Sequence, residues 1–258
     1  PEYTCEGNQQ CTESGWGDCA TPSEACDGVD NDCDGDIDEG FKGPSGQYTQ
    51  VEHCGGCGLS CLALSFDNAQ PTCNASGPVP TCGFVCVGGH KDVDGVTDNG
   101  CECLPAAGDD LAGDGIDSNC DGIDGEVGAG IFVAKNGSDL NPGTLSLPVR
   151  SIAVGIQRAV DFDRRDVYVA TGVYSESVVL ANGKGLFGGY SSDFLSRDPL
   201  LFETAMVGQS PSPANPATVT AIEAGSKPTI LAGFTIFGPN ASNLSGQNSY
   251  AIYLRDCT

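Results

Sequence analysis

Cysteine is concentrated in the first half of the chain, and this distribution limits how that half can fold. Fourteen of the fifteen cysteines lie at or before Cys120, and Cys257 is the remaining one. The same half is poor in core-forming residues, since Leu, Ile, Val and Phe make up 19 of residues 1–127, about 15%. A segment of that composition would normally be disordered, so cross-links or bound ions must hold it together.

Acidic charge is confined to the same segment. Of the formal charge of −24, residues 1–127 carry −23 and residues 128–258 carry −1. Binding to nucleic acid or to anionic lipid headgroups requires a basic face, so we expect neither partner and expect metal ions instead. The longest apolar stretch, Thr229–Gly238, has about half of the roughly 18 to 20 residues that a membrane span needs. No transmembrane segment is therefore predicted.

These counts predict two domains. Residues 128–258 have an ordinary composition and are expected to form a separate β-domain. The chain begins at Pro1 with neither Met nor a leader, which indicates a processed product, an excised piece or a late start. Residues 1–127 are expected to form acidic, disulfide-rich metal-binding modules, with sub-modules at about 1–42, 43–104 and 105–127.

The clustered cysteines are expected to form disulfides. Fourteen is an even number, so seven bridges can form, with a connectivity that the sequence leaves open. The alternative is a cytosolic zinc site made by Cys54-Gly-Gly-Cys57 and Cys101-Glu-Cys103, which leaves ten neighbouring cysteines unexplained. Disulfides at this density indicate an extracellular or cell-surface protein.

Carboxylates at alternate positions form the strongest chemical pattern in the chain. Asp30, Asp32 and Asp34 alternate and are followed by Gly35. Alternation places successive oxygens around one centre as the backbone curls, and glycine permits the sharp turn that points the next carbonyl inward. The loop departs from an EF-hand, because its twelfth position is Phe41 instead of glutamate. The predicted ligands of this first loop are Asp30, Asp32, Asp34, Asp36, Asp38 and Glu39.

The same pattern returns 87 residues later. Gly122 and Cys120 repeat Gly35 and Cys33, which indicates that a disulfide fixes each loop. Acidic loops that merely solubilise the chain are the simpler alternative, but solvation requires neither the alternation nor a fixed glycine and cysteine. The predicted ligands of this second loop are Asp117, Asn119, Asp121, Ile123, Asp124 and Glu126.

A third segment is a weaker candidate. Asp92-Val-Asp94-Gly95 fits a metal site and an ordinary polar turn equally well. Oxygen ligands select hard cations, and crowded flexible carboxylates favour calcium over magnesium. We therefore expect calcium at two sites, with a third candidate. The ligands of that third site would be Asp92, Asp94, Asp98 and Glu102.

Part of this half resembles a known type of module. Cys26–Glu39 resembles the MopE-type metal-binding repeat of secreted bacterial proteins, and Cys54–Cys61 resembles the small Cys-rich modules that often accompany it. The resemblance covers roughly residues 5–126 and implies a large cell-surface or secreted protein. The founding member binds copper through histidine-containing sites. His53 and His90 lie in no matching motif, so we expect calcium here and a surface or structural role for both histidines.

From Ile131 onward the chain is typical of a β-rich fold, with short apolar segments separated by Gly, Asn, Pro and Ser. Within Pro148–Val160, apolar residues instead recur at helical intervals after Ser151, a candidate N-cap, and predict one helix. The predicted strands are near Ile131–Ala134, Asp166–Ala170, Ser177–Leu180, Gly185–Phe187, Thr204–Val207, Ala217–Ile222, Thr229–Phe237 and Tyr250–Leu254.

This half resembles the opening of pectin-lyase-like right-handed β-helices. The similar segments include Ile131–Asp139, Val167–Ala170, Gly172–Glu176 and Leu186–Tyr190, with Leu231–Gly238 similar to a later coil. The predicted fold class is mainly β: disulfide-rich, irregular calcium-binding modules followed by a right-handed parallel β-helix with an N-terminal capping helix. An antiparallel β-sandwich is the alternative, and it would leave the helix unexplained.

The end of the chain carries two further expectations. A strand without a distal cap precedes Thr258, so we expect the β-helix to be truncated there and more chain to follow. Cys257 is left over by the count, and it either pairs with that further chain or is a free thiol.

These features predict a calcium-stabilised structural or connector protein of the bacterial secreted or cell-surface type. We expect no catalytic activity within this chain. Its partners beyond metal ions would be further copies of itself, a cell-surface polysaccharide or another surface protein. An adhesin that binds glycans is an equally open reading. The enzyme alternative is a polysaccharide lyase or hydrolase, for which the isolated charges Glu223, Lys227 and Arg255 are the candidates.

Overall fold

The computed structural model describes residues 8–12, 15–20, 22–209, 217–222, 225, 227–240 and 248–257. The chain forms two compact units, Pro1–Cys103 and Leu104–Thr258. The acidic segment 105–127, which carries the second predicted loop, lies in the second unit. The boundary between the compact units, after Cys103, therefore differs from the boundary in acidic composition, at about residue 127.

The first unit contains two antiparallel hairpins and irregular loops. Its strands are β1 (Asn8–Thr12), β2 (Gly15–Ala20), β3 (Ala69–Asn74) and β4 (Thr81–Cys86). β1 pairs with β2, and β3 pairs with β4 so that Cys73 stands opposite Cys82. None of the side chains of β3 and β4 is fully buried, so apolar packing contributes little to this hairpin.

Disulfides take the place of a hydrophobic core in this unit, as the cysteine count predicts. The side chains of Cys54, Cys61 and Cys101 are buried at these bridges. Cys33, Cys103 and Cys120 are disulfide-bonded as well, whereas Cys257 is a free and exposed thiol. The defined bridges of the first unit are Cys26–Cys57, Cys54–Cys73, Cys61–Cys82 and Cys86–Cys101.

The second unit is built from parallel strands. Every pairing between its named strands is parallel, which confirms the predicted parallel sheets. The strands are β5 (Gly130–Val133), β6 (Asp166–Ala170), β7 (Gly172–Tyr174), β8 (Val178–Val179), β9 (Gly185–Tyr190), β10 (Thr204–Val207), β11 (Ala217–Ile222), β12 (Ile230–Ala232), β13 (Thr235–Phe237) and β14 (Tyr250–Arg255).

Successive strands belong to three sheets in a fixed cyclic order. The first sheet contains β5, β6, β9 and β12, the second contains β7, β10 and β13, and the third contains β8, β11 and β14. From β6 onward, each strand pairs with the strand three places later. Val167 of β6 lies opposite Leu186 of β9, which in turn lies opposite Leu231 of β12. Successive triplets of strands therefore stack on one another.

The predicted strands of this unit are found near their expected positions, with two differences. Thr229–Phe237 is divided into β12 and β13, because Gly233 has a φ of +77° and a side chain there would meet the carbonyl oxygen of Gly188. β7 was not predicted, because three residues are too few to show an alternating pattern.

Two buried clusters cover opposite faces of the first sheet. β6 is buried along its whole length, as expected for a parallel strand covered on both sides. One cluster draws aliphatic side chains from all three sheets, among them Val133, Val167, Val178, Leu186, Met206 and Val219. The intervening residues of the same strands form an aromatic cluster with Phe194 and Ile123, namely Phe132, Tyr168, Phe187 and Tyr190.

The predicted helix is present as α1 (Ile152–Asp161), and its buried face joins the aliphatic cluster. Ser151 occupies the N-cap position, but its side chain makes no capping bond and donates instead to Asp139 at 2.8 Å. Glu176 caps the helix, because its two carboxylate oxygens accept the N–H groups of Ile152 and Ala153, each at 2.9 Å. Across the described residues, no helix is long and apolar enough to cross a membrane.

Candidate metal centres

The first acidic loop is curled by hydrogen bonds from its own backbone to its carboxylates. Asp30 accepts the N–H of Cys33 at 2.6 Å and the N–H of Gly35 at 3.1 Å. Asp34 accepts the N–H of Asp36 at 2.9 Å. Cys33 and Gly35 have φ angles of 67° and 102°, which turn the chain back on itself. The backbone therefore wraps around the carboxylate of Asp30.

This curl brings together carboxylates that are distant in sequence. Oxygens of Asp32, Asp34 and Glu39 lie within 4.8 Å of one another, and so do oxygens of Glu24, Asp30 and Asp32. Asp32 belongs to both groups, so the two groups adjoin. Glu24 was not predicted, because it precedes the alternating pattern by six residues. Its carboxylate accepts the N–H of Asp32 at 3.3 Å.

Glu39 lies among the other carboxylates of the first loop. Its Oε2 atom is buried and has no hydrogen-bond partner among the described residues. A hydrogen bond from its own backbone favours the ionised form. Burial and the charges of Glu24, Asp32 and Asp34 outweigh that bond and raise the pKa of Glu39. A cation among these oxygens would remove the repulsion.

Asp38 and Asp36, both predicted ligands, have different surroundings. Asp38 is fully buried and accepts the N–H groups of Asp27 and Gly28 at 2.9 and 3.0 Å, together with the hydroxyl of Tyr48. The hydrogen bond from Tyr48, followed by that from Gly28, lowers the pKa of Asp38. Both oxygens of Asp38 thus accept hydrogen bonds from the protein, and these bonds close the loop. Asp36 is exposed.

The second loop is curled in a similar way, by hydrogen bonds from its backbone to its first aspartate. Asp117 accepts the N–H of Asp121 at 3.1 Å and the N–H of Gly122 at 2.9 Å. Cys120 and Gly122 have φ angles of 57° and 98°, at the positions of the two positive-φ residues of the first loop. The predicted repeat in sequence is therefore a repeat in backbone conformation.

The remaining turn of the second loop is fixed by Asp121. Its Oδ2 atom accepts the side-chain amide of Asn119 at 3.1 Å and the N–H of Val127 at 2.8 Å. Its Oδ1 atom accepts the N–H of Ile123 at 3.4 Å. The side chain of Ile123 is buried in the aromatic cluster, so the loop is attached to the second unit by an apolar side chain as well.

A buried carboxylate that was not predicted lies against the second loop. Asp110 is 2% exposed, and its Oδ1 atom accepts the N–H of Ser118 at 3.2 Å. Its Oδ2 atom has no hydrogen-bond partner among the described residues. Burial raises the pKa of Asp110, the charges of Asp117 and Asp121 raise it further, and the N–H groups of Ser118 and Gly125 oppose them. Asp110 corresponds to Glu24, which approaches the first loop in the same way.

Asp124 and Glu126, both predicted ligands, lie at the end of the second loop. Asp124 is buried and accepts the N–H groups of Gly113 and Gly115 at 2.8 and 3.2 Å. It also pairs with Arg197 at 3.4 Å. Asp124 therefore closes the second loop by accepting backbone N–H groups, as Asp38 does in the first loop. Its place in the sequence is one position before the one that corresponds to Asp38. The side chain of Glu126 is exposed.

The third candidate segment is a more open turn. Asp94 accepts the N–H of Val96 at 2.8 Å and the side chain of Asn99 at 3.0 Å. Glu102 folds over it and accepts the N–H groups of Val93 and Asp94 at 2.8 and 3.3 Å. Oxygens of Asp92, Asp94 and Glu102 lie within 4.8 Å of one another, whereas Asp98 is exposed. Three of the four predicted ligands are thus brought together.

The thiolate zinc site that the sequence left open does not form. Cys54 is bonded to Cys73, Cys57 to Cys26 and Cys101 to Cys86. Cys103 is also in a disulfide. Disulfide sulfurs are poor metal ligands, because the ligand is the thiolate. The close groups of sulfur atoms in this unit are therefore cross-links.

Both histidines have structural contacts. His53 accepts the N–H of Gly58 at 3.1 Å, and its ring meets the edge of Phe41. His90 Nδ1 lies 3.1 Å from the carbonyl oxygen of Val87.

The isolated charges of the enzyme alternative are exposed where they are described. Arg255 pairs with the neighbouring Asp256 at 3.4 Å, and Lys227 lies at the surface beside Gly183. Glu223 lies outside the described residues.

Comparisons with family models, with curated proteins and with solved structures each gave no match to this chain.

Proposed function

We propose that this chain is a calcium-stabilised structural or connector protein that is secreted or displayed at the cell surface. The observation that carries the proposal is the recurrence of one loop geometry 87 residues apart, with a buried carboxylate oxygen in or beside each loop that has no hydrogen-bond partner among the described residues. These oxygens belong to Glu39 and Asp110. Acidic loops that served solubility alone would leave such atoms in water, because burying them unpaired is costly.

The donor atoms fit calcium. In the first loop, the grouped carboxylates of Asp30, Asp32, Asp34 and Glu39, with Glu24, would hold the ion. In the second loop, Asp117, Asn119 and Asp121 would contribute. All of these donors are oxygens, and crowded carboxylates on a flexible loop favour calcium over magnesium, which retains its waters. When bound, the ion supplies positive charge to carboxylates that otherwise repel one another.

Ion binding would act on the folding of the chain. The first unit is held by disulfides around half-exposed strands, so the stability of its acidic loop depends on cross-links and charge more than on apolar burial. At a free calcium concentration about one hundred times the dissociation constant, each site adds about 2.7 kcal/mol to the stability of the folded state. In this account calcium is a structural component of the folded protein.

The second unit is proposed to be a right-handed parallel β-helix. Support comes from the cyclic order of its three parallel sheets, from the aliphatic cluster shared by all three, and from α1, which packs against β5 and β6 at the start of the stack. The resemblance to pectin-lyase-like proteins points to the same fold. A crystal structure of the second unit tests the handedness directly.

The location and partners follow from the same features. The disulfides favour an oxidising compartment outside the cytoplasm. The chain would present its β-helix to further copies of itself, to a cell-surface polysaccharide or to another surface protein. Binding of a monomer to a glycan array would favour an adhesin instead, and release of unsaturated uronate from acidic polysaccharides would favour a lyase.

Calorimetric melting of the full chain tests the calcium proposal. The protein is melted with calcium, with a chelator, and with a chelator plus reductant. We expect chelation to lower the melting temperature and reductant to abolish the transition of the disulfide-bonded unit. An unchanged melting profile after chelation would contradict the proposal. Elemental analysis of the purified protein separates calcium from copper.

A further inference from the structure

The second acidic loop is fastened to the aromatic cluster of the second unit. The hydroxyl of Tyr168 accepts the N–H of Glu126 at 3.0 Å and lies 3.2 Å from the carbonyl oxygen of the same residue. The hydroxyl of Tyr190 donates to the carbonyl oxygen of Asp124 at 2.5 Å. Tyr168 lies in β6 and Tyr190 in β9, so both bonds join the loop to the first parallel sheet.

A charged contact and an apolar contact reinforce this attachment. Arg197 pairs with Asp124 at 3.4 Å, and both side chains are only 6% exposed. The guanidinium of Arg197 also lies over the rings of Phe187 and Tyr190. Ile123 inserts into the same cluster. The aromatic side of the sheet is therefore covered by the segment that carries the second metal loop.

Asp110 precedes the second loop and contacts it. One oxygen of its buried carboxylate contacts Ser118, next to Asp117, and the other has no hydrogen-bond partner among the described residues. The side chain of Arg165 does not neutralise it, because Arg165 donates to the carbonyl oxygen of Asp110 and to the carboxylate of Asp166. Among the described residues, this oxygen therefore lacks a partner, and the charges of Asp117 and Asp121 act on the same carboxylate.

We infer that Asp110 is a ligand of the cation in the second loop and that this cation clamps the loop onto the aromatic cluster, so that calcium stabilises the parallel-sheet unit. The inference rests on the proposed calcium binding and adds to it a ligand and a consequence. Asp121 accepts the N–H groups of Ile123 and Val127, which flank the residues that contact Tyr168 and Tyr190, so an ion that orders Asp121 also orders this contact segment. Calcium is then linked to the folding of the second unit.

The first loop serves as an internal comparison. Its closing residue, Asp38, is bound by Tyr48 and by backbone N–H groups of the first unit. The Cys26–Cys57 disulfide ties this segment to the rest of the same unit. A cation in the first loop is therefore expected to act on the first unit, and a cation in the second loop on the second.

Hydrogen exchange measured with calcium and with a chelator tests the inference on the full chain. The amides of β6 and β9 should exchange more slowly with calcium, by up to about a hundredfold at a free concentration one hundred times the dissociation constant. Asp110→Asn should weaken calcium binding at one site by about 10- to 100-fold and remove the calcium effect on β6 and β9. Calcium titration of the same samples counts the sites.

Two variants serve as controls. Asp109→Asn makes the same change at the exposed neighbouring position and should leave binding and exchange as in the wild type. Glu24→Gln alters the first loop and should weaken the other site while the calcium effect on β6 and β9 persists. If Asp110→Asn does not fold, the wild type and Glu24→Gln still test the inference. In both proteins the β6 and β9 amides must exchange more slowly with calcium.

The outcomes separate the inference from the proposed function. Absence of calcium binding by the wild type overturns both. Binding of two ions with unchanged exchange in β6 and β9 overturns the inference alone. Wild-type affinity at both sites in Asp110→Asn also overturns it, since Asp110 would then not be a ligand.

Discussion

The hydroxyl of Tyr190 donates to the backbone carbonyl of Asp124 at 2.5 Å, across 66 positions of the chain. Tyr190 ends β9, and Asp124 closes the second acidic loop. Burial and the nearby Asp124 raise the pKa of Tyr190, so the hydroxyl stays a donor at ordinary pH. An acidic loop of the kind expected at a solvated surface is therefore part of the packed second unit.

Removing this hydroxyl is expected to destabilise the second unit. Tyr190→Phe leaves the carbonyl of Asp124 buried without its donor, which costs about 1 to 3 kcal/mol in the free energy of unfolding. Urea denaturation measures the change. Tyr250→Phe is the matched control, because Tyr250 is 39% exposed and should change the free energy by less than about 0.5 kcal/mol. Equal effects of the two variants would contradict the prediction.

The buried ion pair between Arg197 and Asp124 is expected to matter more than a surface pair. Arg197→Met removes the positive charge next to a buried carboxylate and should cost about 3 kcal/mol or more. Lys184→Met breaks the pair with Asp163, whose side chain is fully exposed, and should cost less than about 1 kcal/mol. Chemical denaturation of both variants checks the order, and a larger loss in Lys184→Met would contradict the account.

The cap of α1 is expected to depend on Glu176 and not on Ser151. Glu176→Ala leaves the N–H groups of Ile152 and Ala153 without acceptors and should lower the free energy of unfolding by about 1 kcal/mol. Glu203→Ala changes an exposed glutamate in the same unit and should be nearly neutral. Thermal unfolding followed by circular dichroism compares the two, and equal melting temperatures would show that Glu176 is not the cap.

Disulfides are expected to hold the first unit. Replacing Cys61 and Cys82 together by alanine opens a bridge that closes 21 residues and should cost about 3 kcal/mol. Cys257→Ser removes the free thiol and should leave stability unchanged. Limited proteolysis of the first unit is a second readout. If the double variant resisted proteolysis as well as the wild type, interactions other than this disulfide would stabilise the first unit.

Features set by short-range patterns could be predicted from the sequence. The alternation of Asp30, Asp32 and Asp34 predicted the curled loop, and the cysteine count predicted the disulfides. Most strands of the second unit were also placed correctly, because apolar runs between glycines and prolines mark them, whereas the two hairpins of the first unit were not predicted. The parallel pairing followed from resemblance and is confirmed by the register of β6, β9 and β12.

Features set by long-range contacts could not be predicted. Glu24 and Asp110 precede their loops by six and seven residues, and only the folded backbone brings their carboxylates to the loop. Glu176 replaces Ser151 as the helix cap because the chain returns to α1 after β7. The attachment of the second loop to β6 and β9 depends on the hydroxyls of Tyr168 and Tyr190, which look like core aromatics in sequence.

Calcium titration of the chelator-treated full chain tests the central claim most directly. The wild type is compared with a first-loop variant, in which Asp30, Asp32 and Asp34 are replaced by asparagine, and with a second-loop variant, in which Asp117 and Asp121 are replaced by asparagine. We expect each variant to lose one binding site and to keep the site of the other loop. Binding that is absent from the wild type, or that is unchanged in both variants, would contradict the claim.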